Sequence, residues 1–330
     1  MEKVVLLRFS SLGDVVLTSA LVEPIVKSGF RPMLVTYQPF DQLFKEDKRL
    51  DVLAFRKGDF FKNLLQLKDQ IEQHKPKAVL DLHKNLKTFL LKSLIKAPIK
   101  VSYPKNSLQR RTCVFFNRLG AAKSLKKRPF NVVEAYGETL KALGIKIDNI
   151  RPKIELNLQK VERTLETYNL TKEPYIVIGV GARYQKKRYP HFRELGSLFN
   201  REGFKVVLIG DKKDFELTKE WKGVINLCGK VNLLESLHIL KGAAFYIGND
   251  SGATHMARAV GKKVAVIYGG THPCLGFAPY PDEGIVISKY LDCSPCDLHG
   301  KGKCKRNFEC LEIPPKEVLR HIAPLLEKNL

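Results

Sequence analysis

The chain has 330 residues, of which 44% are apolar, 28% charged and 9% aromatic. That length exceeds one compact core and predicts two domains, and the composition excludes a disordered, collagen-like or membrane-spanning polypeptide. Lysine and arginine leave a net charge of +23, which favours phosphorylated or otherwise acidic partners and leaves nucleic acid, anionic membrane and nucleotides open.

The chain opens with the apolar run Lys3 to Phe9, the loop Ser10-Ser11-Leu12-Gly13-Asp14 and a helical stretch Val15 to Lys27 that carries Pro24. This is strand, tight loop and helix, the first unit of a parallel sheet. The run Val4-Val5-Leu6-Leu7 is far too short for a signal-peptide core, so a cytoplasmic location is expected. The same alternation continues with strands at Met33–Tyr37, Ala78–Leu82 and Lys100–Tyr103 and helices at Phe60–His74, Leu86–Lys96 and Val132–Leu143. The stretch from about 145 to 172 has few apolar residues, so the boundary falls there, giving domains 1–155 and 156–330.

A second series follows. Strands are predicted at Tyr175–Val180, Lys205–Ile209, Phe245–Gly248 and Lys263–Tyr268, with helices at Phe192–Gly203, Phe215–Lys222, Leu233–Lys241 and Gly252–Val260. A final helix over 316–328 follows Pro314 and Pro315 and is expected to pack back on the N-terminal domain. Short apolar strands alternating with helices give an α/β fold of two Rossmann-like sheets covered on both faces. Ligands of such sheets bind outside the carboxyl ends of the strands, so the functional residues belong in strand-to-helix loops.

Three loops carry candidate chemistry. Asp14 sits in a first helical turn, where it serves either as a helix-start acid or as a general base, and the N–H groups of its loop suit an anion or a hydroxyl. Gly179-Val180-Gly181-Ala182-Arg183-Tyr184 begins like a dinucleotide fingerprint but has Tyr184 where the third glycine belongs, which argues against hydride chemistry. Arg183, Lys186, Lys187 and Arg188 follow closely, either to neutralise a diphosphate or as a solvated basic loop. The run Ile247 to His255 follows an apolar strand and enters a helix. Its small residues Ser251, Gly252 and Ala253 let N–H groups approach a phosphate, with Asp250 beside them as part of that site or as a helix cap, and His255 as a contact or as a buried helix histidine.

The run Ser10 to Val15, Lys187-Arg188-Tyr189-Pro190 and Asn249 to His255 together resemble the bacterial heptosyltransferases of glycosyltransferase family nine. The resemblance spans nearly the whole chain and includes Asp81-Leu82-His83, Leu140 to Ile145 and Cys293-Ser294-Pro295-Cys296. It implies the GT-B arrangement of two facing Rossmann-like domains, the first for the acceptor and the second for the nucleotide-sugar. It further implies an inverting, metal-independent transfer of a heptose from an ADP-activated donor to the inner core of lipopolysaccharide. In that reading Asp14 is the catalytic base and Lys187 pairs with the donor diphosphate. Ser10, Ser11, Gly13, Gly181, Arg183, Asp214, Val231, Asp250, Ser251, Gly252, Ala253 and His255 then surround the donor. Many relatives carry a His and an Arg on the helix that closes the first domain. Asn131 to Ala135 has neither, so Arg110 and Arg111, in a basic stretch of the first domain, either grip an acidic acceptor of the lipid A-Kdo type or belong to a solvated basic loop.

No cofactor is expected for catalysis. Cys293, Cys296, Cys304 and Cys310 have a spacing that suits a structural zinc, with reduced thiols or a local disulfide as the alternatives. The remaining cysteines, Cys113, Cys228 and Cys274, read as reduced thiols of a cytoplasmic protein. The basic surface suits peripheral docking on an anionic inner membrane, and a monomer is expected. Two alternatives stand beside the heptosyltransferase. A transferase of the same family with another nucleotide-sugar shares every motif. A nucleic-acid-binding protein would explain the charge, but the basic residues are dispersed and no aromatic RNA-binding segment or basic recognition helix accompanies them, so no nucleic acid is expected.

Overall fold

The computed structural model describes residues 1–118 and 130–326. They divide into two compact units, one drawn from Met1–Lys105 and Val132–Asn157, the other from Asn106–Asn131 and Leu158–Leu330.

The first unit is a five-stranded sheet in the order β3-β2-β1-β4-β5. Its strands are β1 (Lys3–Leu7), β2 (Arg31–Tyr37), β3 (Asp51–Phe55), β4 (Ala78–Asp81) and β5 (Ile99–Ser102), and every pairing is parallel. A central parallel strand is covered on both faces, which is why Val4 to Leu7 is an unbroken apolar run with no exposure. The strand order reverses at β1, and the loop leaving its carboxyl end is Arg8 to Ser11. Phe9 anchors that loop in an aromatic cluster, with ring centroids 5.3 Å from Tyr37, 5.1 Å from Phe55 and 5.6 Å from Phe60.

The second unit is a six-stranded parallel sheet in the order β11-β10-β9-β6-β7-β8. Its strands are β6 (Tyr175–Gly179), β7 (Lys205–Ile209), β8 (Ile225–Asn226), β9 (Phe245–Asn249), β10 (Val264–Tyr268) and β11 (Gly284–Ser288). Here the order reverses between β6 and β9, which pair with Gly179 opposite Gly248. A Cβ at either glycine would sit 2.1 or 2.3 Å from the Tyr246 hydroxyl, so only glycine lets that buried side chain pass beneath the two strand ends. The carboxyl ends of β6 and β9 thus lie side by side, at the crevice where open α/β sheets bind ligands.

Several elements differ from the sequence reading. The helix expected over Val15–Lys27 is broken into Leu12–Leu17, a 3₁₀ turn Thr18–Leu21 and Val22–Lys27. Pro24 falls in the first turn of the last piece, where its missing N–H is not needed. Strands β3 and β11, at sheet edges and only partly buried, are additional to those expected, although each holds a short apolar run, Val52 to Phe55 and Ile285 to Ile287. Helix Leu158–Thr167 occupies the stretch read as a boundary. It packs on helix Leu233–Gly242, with Thr164 Oγ1 2.8 Å from His238 Nδ1.

The segment read as a basic stretch of the first domain is helix Ser107–Arg118, and it groups with the second unit. The Cys113–Cys274 disulfide bonds it there. Helix Pro315–Leu326 packs on helix Phe192–Arg201 and buries Val318, Ile322 and Leu326 in the second unit's own core; residues 327 and 328 of the expected helix lie outside the described residues. No helix among the described residues is long and apolar enough to cross a membrane.

Candidate functional site

In the first unit Asp14 lies in the first turn of helix Leu12–Leu17. Its Oδ2 is 2.7 Å from Arg8 Nη2 and accepts hydrogen bonds from Ser11 Oγ at 2.7 Å and Ser11 N–H at 3.3 Å. Arg8 directly follows the apolar run of β1, ahead of Phe9, and it is buried at 7% exposure. A buried guanidinium is costly unless its donors are used. Arg8 Nη1 donates to the Leu82 carbonyl at 2.6 Å, and its charge lies over the Tyr136 ring, 5.9 Å from the centroid.

The loop after β4 supports this arrangement. Asp81 Oδ1 accepts from the backbone N–H groups of His83 and Lys84, and His83 Nδ1 accepts from the Phe9 N–H at 3.3 Å. Burial and the Arg8 charge push the His83 imidazole down to about 3, so it is neutral at pH 7. Asp14 is thus a carboxylate fixed on one side by a buried cation. Ser10 and Ser11, read from sequence as donor contacts, belong to this unit, and Ser11 serves Asp14 directly. Gly13 is buried within the same turn.

In the second unit the loops after β6, β9 and β10 converge. Lys187 Nζ lies 2.7 Å from Asp250 Oδ2, which also accepts from Thr271 Oγ1 at 2.8 Å. Burial opposes ionisation of Asp250, but the charge and hydrogen bond of Lys187 outweigh it, with Thr271 and His255 adding to them. Its carboxyl is held below the usual range. Asn249 is fully buried and joins the two central strand ends. Its Oδ1 accepts from the Tyr189 N–H at 2.9 Å and its Nδ2 donates to the Val180 carbonyl at 3.0 Å. Ser251 caps helix Gly252–Ala259, with Gly252 and Ala253 in its first turn, so backbone N–H groups and the positive end of the helix point out beside Lys187 and Asp250. His255, buried one turn in, meets Arg258 at 3.1 Å, and Arg258 is paired with Glu283 at 2.6 Å.

The remaining expected residues divide. Asp214 is buried in the first turn of helix Lys212–Thr218, 3.1 Å from Arg188 Nη1, and its Oδ2 accepts from the Asp211 N–H. A Cβ on Gly181 would come within 2.3 Å of that same oxygen, so Gly181 and Asp214 support the loop. Arg183 is exposed over the Tyr184 ring, and Val231 is half-buried ahead of helix Leu233–Gly242. Arg110 is buried and Arg111 exposed, both on the helix that groups with this unit. Sequence reasoning missed Arg8, Asn249 as a tie, Thr271 and the Arg188–Asp214 pair; a charged residue ending an apolar strand run was the one signal available for Arg8.

The cysteines depart from expectation. Cys113 and Cys274 form a disulfide with Cα atoms 6.5 Å apart. Their sulfurs and a ring nitrogen of His272 are the only three metal-ligating atoms within 4.8 Å of one another among the described residues. Cys293, Cys296, Cys304 and Cys310 are free thiols and do not come together in that way. Burial pushes the Cys310 thiol up to about 12 and raises Cys296 as well. A zinc at these four is not supported. The segment instead plugs the end of β10, where Ser294 Oγ donates to the Gly269 carbonyl and the Cys296 N–H to the Gly270 carbonyl.

The model of glycosyltransferase family 9 (heptosyltransferase) matches residues 64–303. The chain belongs to glycosyltransferase family 9. Over 185 residues this family member is 31% identical to lipooligosaccharide heptosyltransferase 2 of Haemophilus influenzae, covering 52% of each chain, so the match spans about half the length of that relative. Among solved structures it resembles a glycosyl transferase family 9 protein from Veillonella parvula, with a TM-score of 0.78 at 21% identity over 99% of this chain and 97% of that one. An Escherichia coli heptosyltransferase solved with ADP superposes with a TM-score of 0.70 at 18% identity, over 99% of this chain and all of that one. These likenesses show the fold, that of the GT-B type heptosyltransferases.

Proposed function

We propose that this family 9 protein is an inverting transferase that moves a heptose from an ADP-activated donor to the inner core of lipopolysaccharide. The observation that carries the reading is the Lys187–Asp250 pair beside the start of helix Gly252–Ala259, a cation and a row of N–H groups where a diphosphate needs them. The relative solved with ADP lends support from its fold.

In this mechanism Asp14 takes the proton of the acceptor hydroxyl as it attacks the anomeric carbon, while Arg8 and Ser11 hold the carboxylate ionised and oriented. The transition state separates positive charge on the sugar from negative charge on the departing nucleotide. Lys187 and the helix terminus meet the charge as it develops. The chemistry asks for no metal at the reacting centre, because these groups already supply the positive counter-charge. Arg111, exposed on helix Ser107–Arg118, is available to an acidic acceptor. The net charge of +23 supports docking of the protein on an anionic membrane surface from the cytoplasmic side.

The test is product formation. Purified protein incubated with ADP-heptose and a lipid-linked Kdo acceptor should add the mass of one heptose. A product formed only with a different nucleotide-sugar replaces this donor with the runner-up, and no product with any nucleotide-sugar rejects the activity.

A further inference from the structure

Three arginines are buried among the described residues: Arg8, Arg110 and Arg258. Two of them meet a carboxylate, Arg8 at Asp14 and Arg258 at Glu283. Arg110 is 9% exposed and has no ion pair among the described residues, and its buried Nε has no hydrogen-bond partner. Its guanidinium carbon instead lies 5.3 Å from the Phe277 ring centroid and 6.0 Å from that of Phe130. Ring faces favour the cation, but they leave its buried in-plane Nε–H without a partner. A buried cation that meets no carboxylate among the described residues is suited to an anionic ligand.

The surroundings point to the same anion as Lys187. Phe277 stands between Arg110 and the nucleotide loop, with its ring 6.1 Å from His255. On the other side, the segment carrying His299 and Lys301 folds over Lys187, since a Cβ on Gly300 would touch the Lys187 side chain at 3.0 Å. Lys301 Nζ in turn lies over the Tyr184 ring at 5.8 Å. Partial burial and the charges of Lys301, Arg110 and Lys187 hold His299 below its ordinary range against the opposing charge of Asp297, which places these three cations around one ring. The disulfide at Cys113, one turn along the helix from Arg110, bonds it to Cys274, three residues before Phe277. The same two segments are thus joined covalently and by the stacked cation.

We propose that Arg110 is a phosphate-binding residue of the nucleotide unit, acting with Lys187 to hold a phosphoryl oxyanion in a two-pronged grip, rather than an acceptor contact. This deepens the donor reading above and rests on it. A planar guanidinium offers two parallel donors to a phosphoryl group, whereas Lys187 offers a point charge. Phosphoryl groups reach the protein from the donor's diphosphate or from a phosphorylated acceptor, and the arms of the test separate them.

Calorimetric titration of the full, oxidised chain with ADP and with AMP provides the test, using Arg110→Met, Arg110→Lys and the exposed-site control Gln109→Ala. Arg110→Met should weaken ADP by about tenfold or more while changing AMP far less, as loss of a charge-assisted pair to the terminal phosphate requires. Arg110→Lys should fall between them, and Gln109→Ala should match wild type. If Arg110→Met lowers the melting temperature too far for titration, Arg110→Lys, which keeps the charge over Phe277, carries the test with the same direction expected. Variants that bind ADP as wild type does overturn the assignment, and a rise confined to the acceptor KM transfers Arg110 to the acceptor. Wild-type protein that binds no ADP removes the donor reading itself.

Discussion

The buried Arg8 and the half-buried Asp14 form an ion pair, 2.7 Å from Nη2 to Oδ2, at the point where the first sheet reverses its strand order. The guanidinium cannot leave, because its other nitrogen is bonded to the Leu82 carbonyl. Arg8→Met removes the positive charge beside the carboxylate and should raise its pKa by about one to three units, the usual effect of an adjacent arginine on an acid. The acid limb of the kcat pH profile is expected to move up accordingly. Arg8→Lys keeps the charge and should move it less. A profile unchanged in Arg8→Met would mean that Asp14 does not take the proton.

His83 makes the first unit sensitive to acid. Its folded pKa is lowered to about 3 by burial and by Arg8, while the unfolded value is the ordinary 6.5. Between those values the unfolded state binds the extra proton, so stability is full above pH 6.5 and is lost as pH falls toward 3. At pH 5 the loss should be about 1–2 kcal/mol. Urea denaturation of wild type and His83→Asn at pH 7 and pH 5 measures it, and the variant should lose less stability over that interval.

Asn249 joins the ends of β6 and β9 through both ends of its amide. Asn249→Ala leaves the Tyr189 N–H and the Val180 carbonyl without that partner in a buried place, at about 1–3 kcal/mol for each orphaned group. Thermal unfolding should show the loss. ADP affinity should fall as well, because Lys187 lies two residues before Tyr189 on the same loop.

The Cys113–Cys274 disulfide holds helix Ser107–Arg118 on the second unit. A bridge between cysteines 161 residues apart is worth about 2–4 kcal/mol. Reductant should therefore lower the melting temperature of wild type, and the double variant Cys113→Ser, Cys274→Ser should melt at one temperature with or without it.

Much of this architecture was legible because buried parallel strands must be apolar throughout. Lys3 to Leu7, Tyr175 to Gly179 and Val264 to Tyr268 announce themselves, and the small residues of Ser251 to Ala253 mark the helix start that follows β9. The edge strands β3 and β11 were not legible, since apolar runs as short as Val52 to Phe55 and Ile285 to Ile287 do not by periodicity alone distinguish a strand from other buried segments. Nor does a sequence tell which unit a helix joins: Arg110 reads as part of a solvated basic stretch until Phe277, Phe130 and the disulfide partner, all distant in the chain or hidden in composition, are brought around it. The pairing of Arg8 with Asp14 was missed for a related reason. Spacing shows that two charges are near in sequence but not that one of them is buried.

The proton-accepting role of Asp14 is tested most directly by Asp14→Asn, measured by single-turnover transfer alongside ADP calorimetry on the same preparation. The rate should fall about 100-fold or more, the typical contribution of a positioned base, while ADP binds as it does to wild type. Transfer at the wild-type rate would contradict the account.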